Sequence, residues 1–193
     1  MSIFDEIYNR SAADGNAILS AYVKSGADKN AKNYEGKSVL FAAASMGLTD
    51  GVKILIDAGA NLNTTTNDGD TALCVAIGNG EMDIAELLIK AKADVNLGRS
   101  YGGKTALMLA ADRGNRDIVN LLLKARAALN EKDNNGRSAS DYATQSGNTD
   151  VIKLLSQQVQ DSPSKDLPND YLASLTTSSS PNVTKKKWWE FWK

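Results

Sequence analysis

Histidine is missing from all 193 residues. Without imidazole there is no Ser-His or Cys-His nucleophile pair, no histidine acid–base catalysis and no zinc site built on that side chain. Cysteine is almost missing too. Cys74 stands alone, which excludes an intramolecular disulfide framework and fits a reducing compartment. No apolar run approaches the roughly 18 residues that a membrane-spanning helix needs. Met1 to Asn16 carry Asp5, Glu6 and Asp14 and no long apolar run. No secretory signal is therefore expected, and the N-x-T triplets at Asn63 and Asn182 are expected to stay unglycosylated. Neither charge is in excess: 22 basic residues face 23 acidic ones, for a net charge of −1. No global field draws nucleic acid to such a chain. The expected location is the cytoplasm, with no nucleic-acid partner and no cofactor.

What is present is periodic. Gly36, Gly69, Gly103 and Gly136 lie 33, 34 and 33 residues apart, and Gly47, Gly80, Gly114 and Gly147 repeat the same spacing. Ser38, Thr71, Thr105 and Ser138 keep that register. Asn30, Asn63, Asn96 and Asn130 follow at 33, 33 and 34. A fixed period of this length is the signature of a repeat architecture. The one extra residue falls between Asn96 and Gly103, in an expected turn where insertion costs little.

Each unit has a physical reading. The first glycine permits a turn at positive φ. The hydroxyl residue then caps a short helix by accepting from a free backbone N–H. That helix is rich in alanine: Ala42, Ala43 and Ala44, then Ala76, then Ala110 and Ala111, then Ala143. Small side chains let neighbouring helices approach closely. The second glycine ends it. A second helix follows with branched apolar residues, as in Val52, Ile54, Leu55 and Ile56 or Ile118, Val119, Leu121 and Leu122. A two-helix unit this small cannot bury its apolar face alone, so the core must come from stacking.

The units resemble ankyrin repeats, whose pattern runs G-x-T-P-L-H-x-A-A-x-x-G, a helix, then G-A-D-x-N. Here the opening segments are G-K-S-V-L-F-A-A-A-S-M-G from Gly36 and G-D-T-A-L-C-V-A-I-G-N-G from Gly69. G-K-T-A-L-M-L-A-A-D-R-G follows from Gly103 and G-R-S-A-S-D-Y-A-T-Q-S-G from Gly136. The resemblance implies a mainly α solenoid of stacked helix-turn-helix units with hairpin-like fingers, over residues 1–158. A degenerate unit at 3–32 is followed by repeats at 33–65, 66–98 and 99–132 and a capping repeat at 133–158. There are departures. The pattern's proline is Val39, Ala72, Ala106 and Ala139, and its histidine is Phe41, Cys74, Met108 and Asp141. The glycine that ends the second helix is Lys92 in one unit and Arg126 in the next. If left-handed, each costs about 1 kcal/mol. Ser140 and Asp141 stand where apolar residues would continue a stack, which suits a polar end cap.

The resemblance also implies a function: a protein–protein interaction module, adaptor or inhibitor, not an enzyme, and monomeric when alone. Its partner is expected on the concave face, at the fingers and the exposed side of the first helices. Those positions are Tyr34, Glu35, Lys37, Ser45 and Met46, then Asn67, Asp68, Asp70 and Asn79. Tyr101, Lys104, Asp112 and Arg113 follow, then Asn134, Asn135, Arg137 and Gln145. Tyr34, Met46 and Tyr101 with Arg113 are the expected anchors, because aromatic and arginine side chains dominate interface energy.

Three isolated features suggest other chemistry. Cys74 as a nucleophile has no histidine to activate it and sits at a packing position of the repeat. The polar run Asn63 to Asp70 lacks the spacing and the later glutamate of a calcium loop, and reads as a finger. Gly98 to Thr105 fits G-x-x-x-x-G-K-T, the phosphate-loop pattern, and is the foothold of the alternative reading as an enzyme or nucleotide-binding subunit. Such a loop follows a buried strand and opens a long helix. Here it follows the end of a repeat, and Gly114 cuts the helix short.

Beyond Gln158 the composition changes. The three prolines, Pro163, Pro168 and Pro181, lie here, and Ser and Thr crowd 176–180. Residues 159–184 read as a disordered linker with a reach of about 30 Å. The last nine residues hold all three tryptophans: Lys185, Lys186, Lys187, Trp188, Trp189, Glu190, Phe191, Trp192 and Lys193. In a helix, Trp188, Trp189, Phe191 and Trp192 share one face. Nine residues do not form a stable free helix, so order must come from what they bind. Tryptophan with lysine suits an anionic membrane surface; the same aromatic face also suits a protein groove. The membrane reading predicts that the full chain sediments with anionic vesicles at low salt and that a chain ending at Thr184 does not. Both chains remaining in the supernatant at every lipid charge would turn the search to a protein groove.

Overall fold

The computed structural model describes residues 2–9, 11–98, 100 and 102–161. Tyr101 and the expected linker and Lys/Trp motif from residue 162 onward lie outside the described residues. The elements are helices: α1 (Ile3–Tyr8), α2 (Ala12–Lys24), α3 (Val39–Ser45), α4 (Thr49–Asp57), α5 (Ala72–Asn79), α6 (Met82–Lys90), α7 (Ala106–Asp112), α8 (Arg116–Lys124), α9 (Ala139–Gln145) and α10 (Thr149–Asp161). α10 runs past 158, where the sequence reading starts the linker; no helix breaker intervenes before Pro163. Among the described residues there is no named strand, and the fingers carry only isolated antiparallel bridges, Lys32 with Ser38 and Ser100 with Lys104.

The hydroxyl markers are N-caps. Ser38 Oγ accepts from Phe41 N at 3.1 Å, Thr71 Oγ1 from Cys74 N at 3.2 Å, Thr105 Oγ1 from Met108 N at 3.3 Å and Ser138 Oγ from Asp141 N at 3.3 Å. The first unit, which lacks these markers, does the same job with other residues: Ser2 and Ser11 cap α1 and α2, each on an aspartate three positions on. The ends of the second helices follow one geometry. Gly59 N donates to Ile56 O and Ala60 N to Leu55 O, the paired bonds that close a helix through a left-handed residue. Lys92 and Arg126 make the corresponding bonds, to Ile89 and Leu123, at φ of 69° and 64°. The strain anticipated at both positions is therefore present.

These helices are short, six residues in α1 and seven to nine in α3 through α9, so none is stable by itself. They form two rows. α3 packs on α5, α5 on α7 and α7 on α9; α2 packs on α4, α4 on α6 and α6 on α8. Ala42, Ala43, Ala44, Ala76, Ala110, Ala111 and Ala143 are fully buried at the first row's contacts. In the second row Gly51 admits α2: a Cβ there would collide with Leu19, and its N–H donates to Asn16 Oδ1 at 2.8 Å.

The asparagine markers tie unit to unit. Asn30 Oδ1 accepts from Asn61 N at 2.8 Å, Asn63 Oδ1 from Asp94 N at 2.9 Å and Asn96 Oδ1 from Ala128 N at 2.7 Å. The one-residue insertion between Asn96 and Gly103 leaves this ladder intact. Leu107 is 1% exposed at the centre of the first row. Leu107→Ala should lower the unfolding free energy by about 2–5 kcal/mol, measured by denaturant titration. A loss below about 0.5 kcal/mol would be incompatible with this burial.

Candidate functional site

The fingers are built alike. Asn33 N donates to Lys37 O at 3.0 Å, Thr66 N to Asp70 O, Ser100 N to Lys104 O and Asp133 N to Arg137 O, each at 2.9 Å. A glycine turns each tip. Gly36, at φ 74°, has no room for a side chain, since a Cβ would stand 2.6 Å from Asn67 Oδ1. Neighbouring fingers are joined: Asn67 N donates to Glu35 O at 3.0 Å, Asn67 Nδ2 to Tyr34 O at 3.1 Å and Asn134 N to Gly102 O at 2.9 Å. Side chains on this row therefore project from a fixed frame.

The expected contact residues divide into two groups. Several are engaged within the stack. Asn67 and Asn134 join fingers, and Asn79 Nδ2 donates to Ser45 O at 3.1 Å. Arg113 donates to Gly78 O in the preceding unit. Asp112 accepts from Ser146 Oγ at 2.8 Å and pairs with Lys104 at 3.5 Å. Others are open. Tyr34 is 90% exposed and Met46 36%. Asp68, Asn135 and Gln145 are exposed as well. Glu35 and Lys37 form an ion pair at 2.9 Å beside Tyr34. The Glu35 hydrogen bond lifts the Lys37 pKa, with smaller contributions from Tyr8 and Tyr34. Tyr8, 37% exposed at the end of α1, is a further exposed aromatic side chain in the first unit. It was not legible in the sequence, because the first unit has the asparagine marker, Asn30, but not the glycine and hydroxyl markers that set the register of a first helix.

Lys37, Asp70, Lys104 and Arg137 occupy one register position along the fingers. Burial raises the Asp70 pKa, Asp68 adds to the rise and Lys37 opposes it. Asp70 Oδ1 is buried without a hydrogen-bond partner. The last finger is the most tightly connected. Asp133 has a buried carboxylate that accepts from Tyr142 Oη at 2.7 Å and from Arg137 Nε and its terminal nitrogen at 3.1 and 3.0 Å. Asn135 N and Arg137 N add bonds at 2.9 and 2.8 Å. Burial alone would raise the Asp133 pKa, but these hydrogen bonds outweigh it and hold the carboxyl far below the usual range. Burial and Asp133 together push Tyr142 up to about 12. Lys104 and Arg137 lie over the Tyr142 ring, 4.4 and 4.6 Å from its centroid.

The isolated features resolve into the same frame. Cys74 is buried, its thiol directed to Gly98 O at 3.8 Å, and burial pushes its pKa up, the opposite of what a nucleophile needs. In the polar run, Asn63 Oδ1 and Thr66 Oγ1 already accept backbone N–H groups. In the phosphate-loop-like segment, Ser100 N donates to Lys104 O and Gly103 N to Ser100 O at 2.8 Å. Those donors are not free to cradle a phosphate. The helix that follows, α7, has seven residues.

Helix pairs stacked on a constant period and joined by hydrogen-bonded fingers define a helical tandem-repeat solenoid. The chain belongs to the ankyrin-repeat family: the family profile described as Ankyrin repeats (3 copies) matches residues 9–99 and 98–166, most of its length. No curated protein matches it individually. Ankyrin repeats are in general protein–protein interaction modules, and domains built from them are typically non-catalytic.

The last finger gives the protein a pH signature. Asp133's contribution is fully present above its ordinary value of 3.8 and is lost as pH falls below it, because the unfolded chain takes up the proton first. Tyr142's contribution is present below 10.0 and is lost as pH rises toward about 12. Asp133→Asn should lower Tm at neutral pH and shrink the further fall in Tm between neutral pH and about pH 3, followed by circular dichroism. An acid limb as steep as that of the parent protein would assign it to other carboxylates.

Proposed function

We propose that this chain is a protein-binding adaptor or inhibitor that receives its partner on the finger row of its first units, around Tyr34. One observation carries this reading. Tyr34 is 90% exposed, yet its carbonyl is held by Asn67 of the next finger. A large aromatic side chain on a rigid support binds with little loss of conformational freedom, the property of an interface anchor. Met46 and Tyr8 add apolar surface in the same units, and Lys37 with Glu35 adds a polar rim. Arg113 is exposed too, and its guanidinium also donates to Gly78 O.

The Lys/Trp motif at 185–193 supports a second attachment in the same proposal. The repeat domain would be held by its linker at a cytoplasmic membrane face while the finger row takes the partner. Among the described residues no helix is long and apolar enough to cross a membrane.

The test is affinity capture from the native host with the partner quantified. Tyr34→Ala combined with Met46→Ala should weaken partner binding about tenfold or more, while Gln145→Ala changes it little. Undiminished capture by the double variant would remove the partner from this face.

A further inference from the structure

A second surface, sharing no residue with the finger row, borders a groove of about 520 Å³ between the units at 66–98 and 99–132. Its rim carries four exposed cations, Lys90, Lys92, Lys124 and Arg126. Ile89 and Val95, both buried, and the partly buried Leu121 give it an apolar floor. Its one acidic lining residue, Asp94, directs Oδ1 to Asn96 N at 2.9 Å.

Two of the four cations are accounted for by the fold. Lys90 and Lys124 lie in the last turns of α6 and α8, where positive charge answers the helix dipole, and Lys90 also pairs with Glu86 at 2.6 Å. Lys92 and Arg126 are different. They follow the helix ends in left-handed backbone, at the position that Gly26 and Gly59 hold in the two preceding units. Glycine there is free of strain, and a long side chain is not. Among the described residues, nothing forms an ion pair or hydrogen bond with either side chain. The strain therefore supports two unpaired charges, one unit apart, on the rim of one groove. Non-glycine residues in this backbone region concentrate at ligand-binding positions.

We propose that this groove binds an acidic peptide segment of a partner protein, with apolar side chains on the floor and carboxylates at Lys92 and Arg126. The recessed floor favours a peptide over a bilayer, whose flat surface would meet only the rim. Rim charges of this kind act through complementarity and make binding salt-sensitive.

The test uses the full chain and a short fluorescent peptide alternating glutamate and leucine, followed by anisotropy at low salt. Saturable binding that weakens as salt rises is expected, with no binding of the same peptide carrying glutamine for glutamate. Lys92→Gly combined with Arg126→Gly should weaken binding about tenfold. The same variant should melt at a higher temperature, since glycine relieves both strained positions and keeps the fold intact. The lysines of the tail are a competing source of charge, so replacing Lys185, Lys186 and Lys187 by Gln must leave binding in place. Absent or salt-insensitive binding, equal binding of the glutamine peptide, or undiminished binding by the double glycine variant would each overturn the proposal. So would loss of binding with the tail lysines, or retention on anionic vesicles through Lys92 and Arg126 without peptide binding. None of these outcomes depends on the finger row, so this proposal and the one at Tyr34 fail separately.

Discussion

Ala42, Ala43 and Ala44 on α3, Ala76 on α5, Ala110 and Ala111 on α7 and Ala143 on α9 are fully buried, and between them they set how closely the first helices approach. That approach brings the first finger within hydrogen-bond reach of the second and the third of the fourth, and Asn30, Asn63 and Asn96 to the following unit's backbone. A larger side chain at any of these positions would separate two units and break bonds at both edges of the stack. Burial of Leu40, Leu73 and Leu107 depends on the same spacing. Because each unit rests on its neighbours, a local change is felt first at the adjoining interfaces.

The fold was legible where one residue performs one backbone task. A glycine at positive φ and a hydroxyl at an N-cap act locally, so their recurrence could be interpreted from the sequence alone. The asparagine marker was visible but its purpose was not, because Asn30, Asn63 and Asn96 act across 31 or 32 residues. The first unit was the least legible, since Ser2 and Ser11 replace the usual markers and fall outside the register. The proposed binding face could be read as a set of positions and not as a set of free side chains. Tyr34 and Arg113 look equally available in the sequence. Both are exposed, and Arg113 alone reaches a carbonyl in another unit, Gly78 O.

Side chains on the two surfaces thus fall into those that build the frame and those left over. Asn67, Asn79, Asn134 and Asp133 build it. Tyr34, Met46, Lys92 and Arg126 are left over, and the last two occupy positions where the backbone itself would favour glycine. Side chains that folding does not need can give their contacts to a partner without competition, since partners must compete for any that it does.

Ser140 and Asp141, both exposed on α9, occupy the places that Leu107 and Met108 hold on α7. A column of identical units has no inherent reason to stop, and an apolar last row would invite a second copy to continue it head to tail. Here an incoming copy would have to strip water from a carboxylate already committed to Ser138 N and Oγ. The aspartate that starts the final helix pair thus also makes this face of α9 polar.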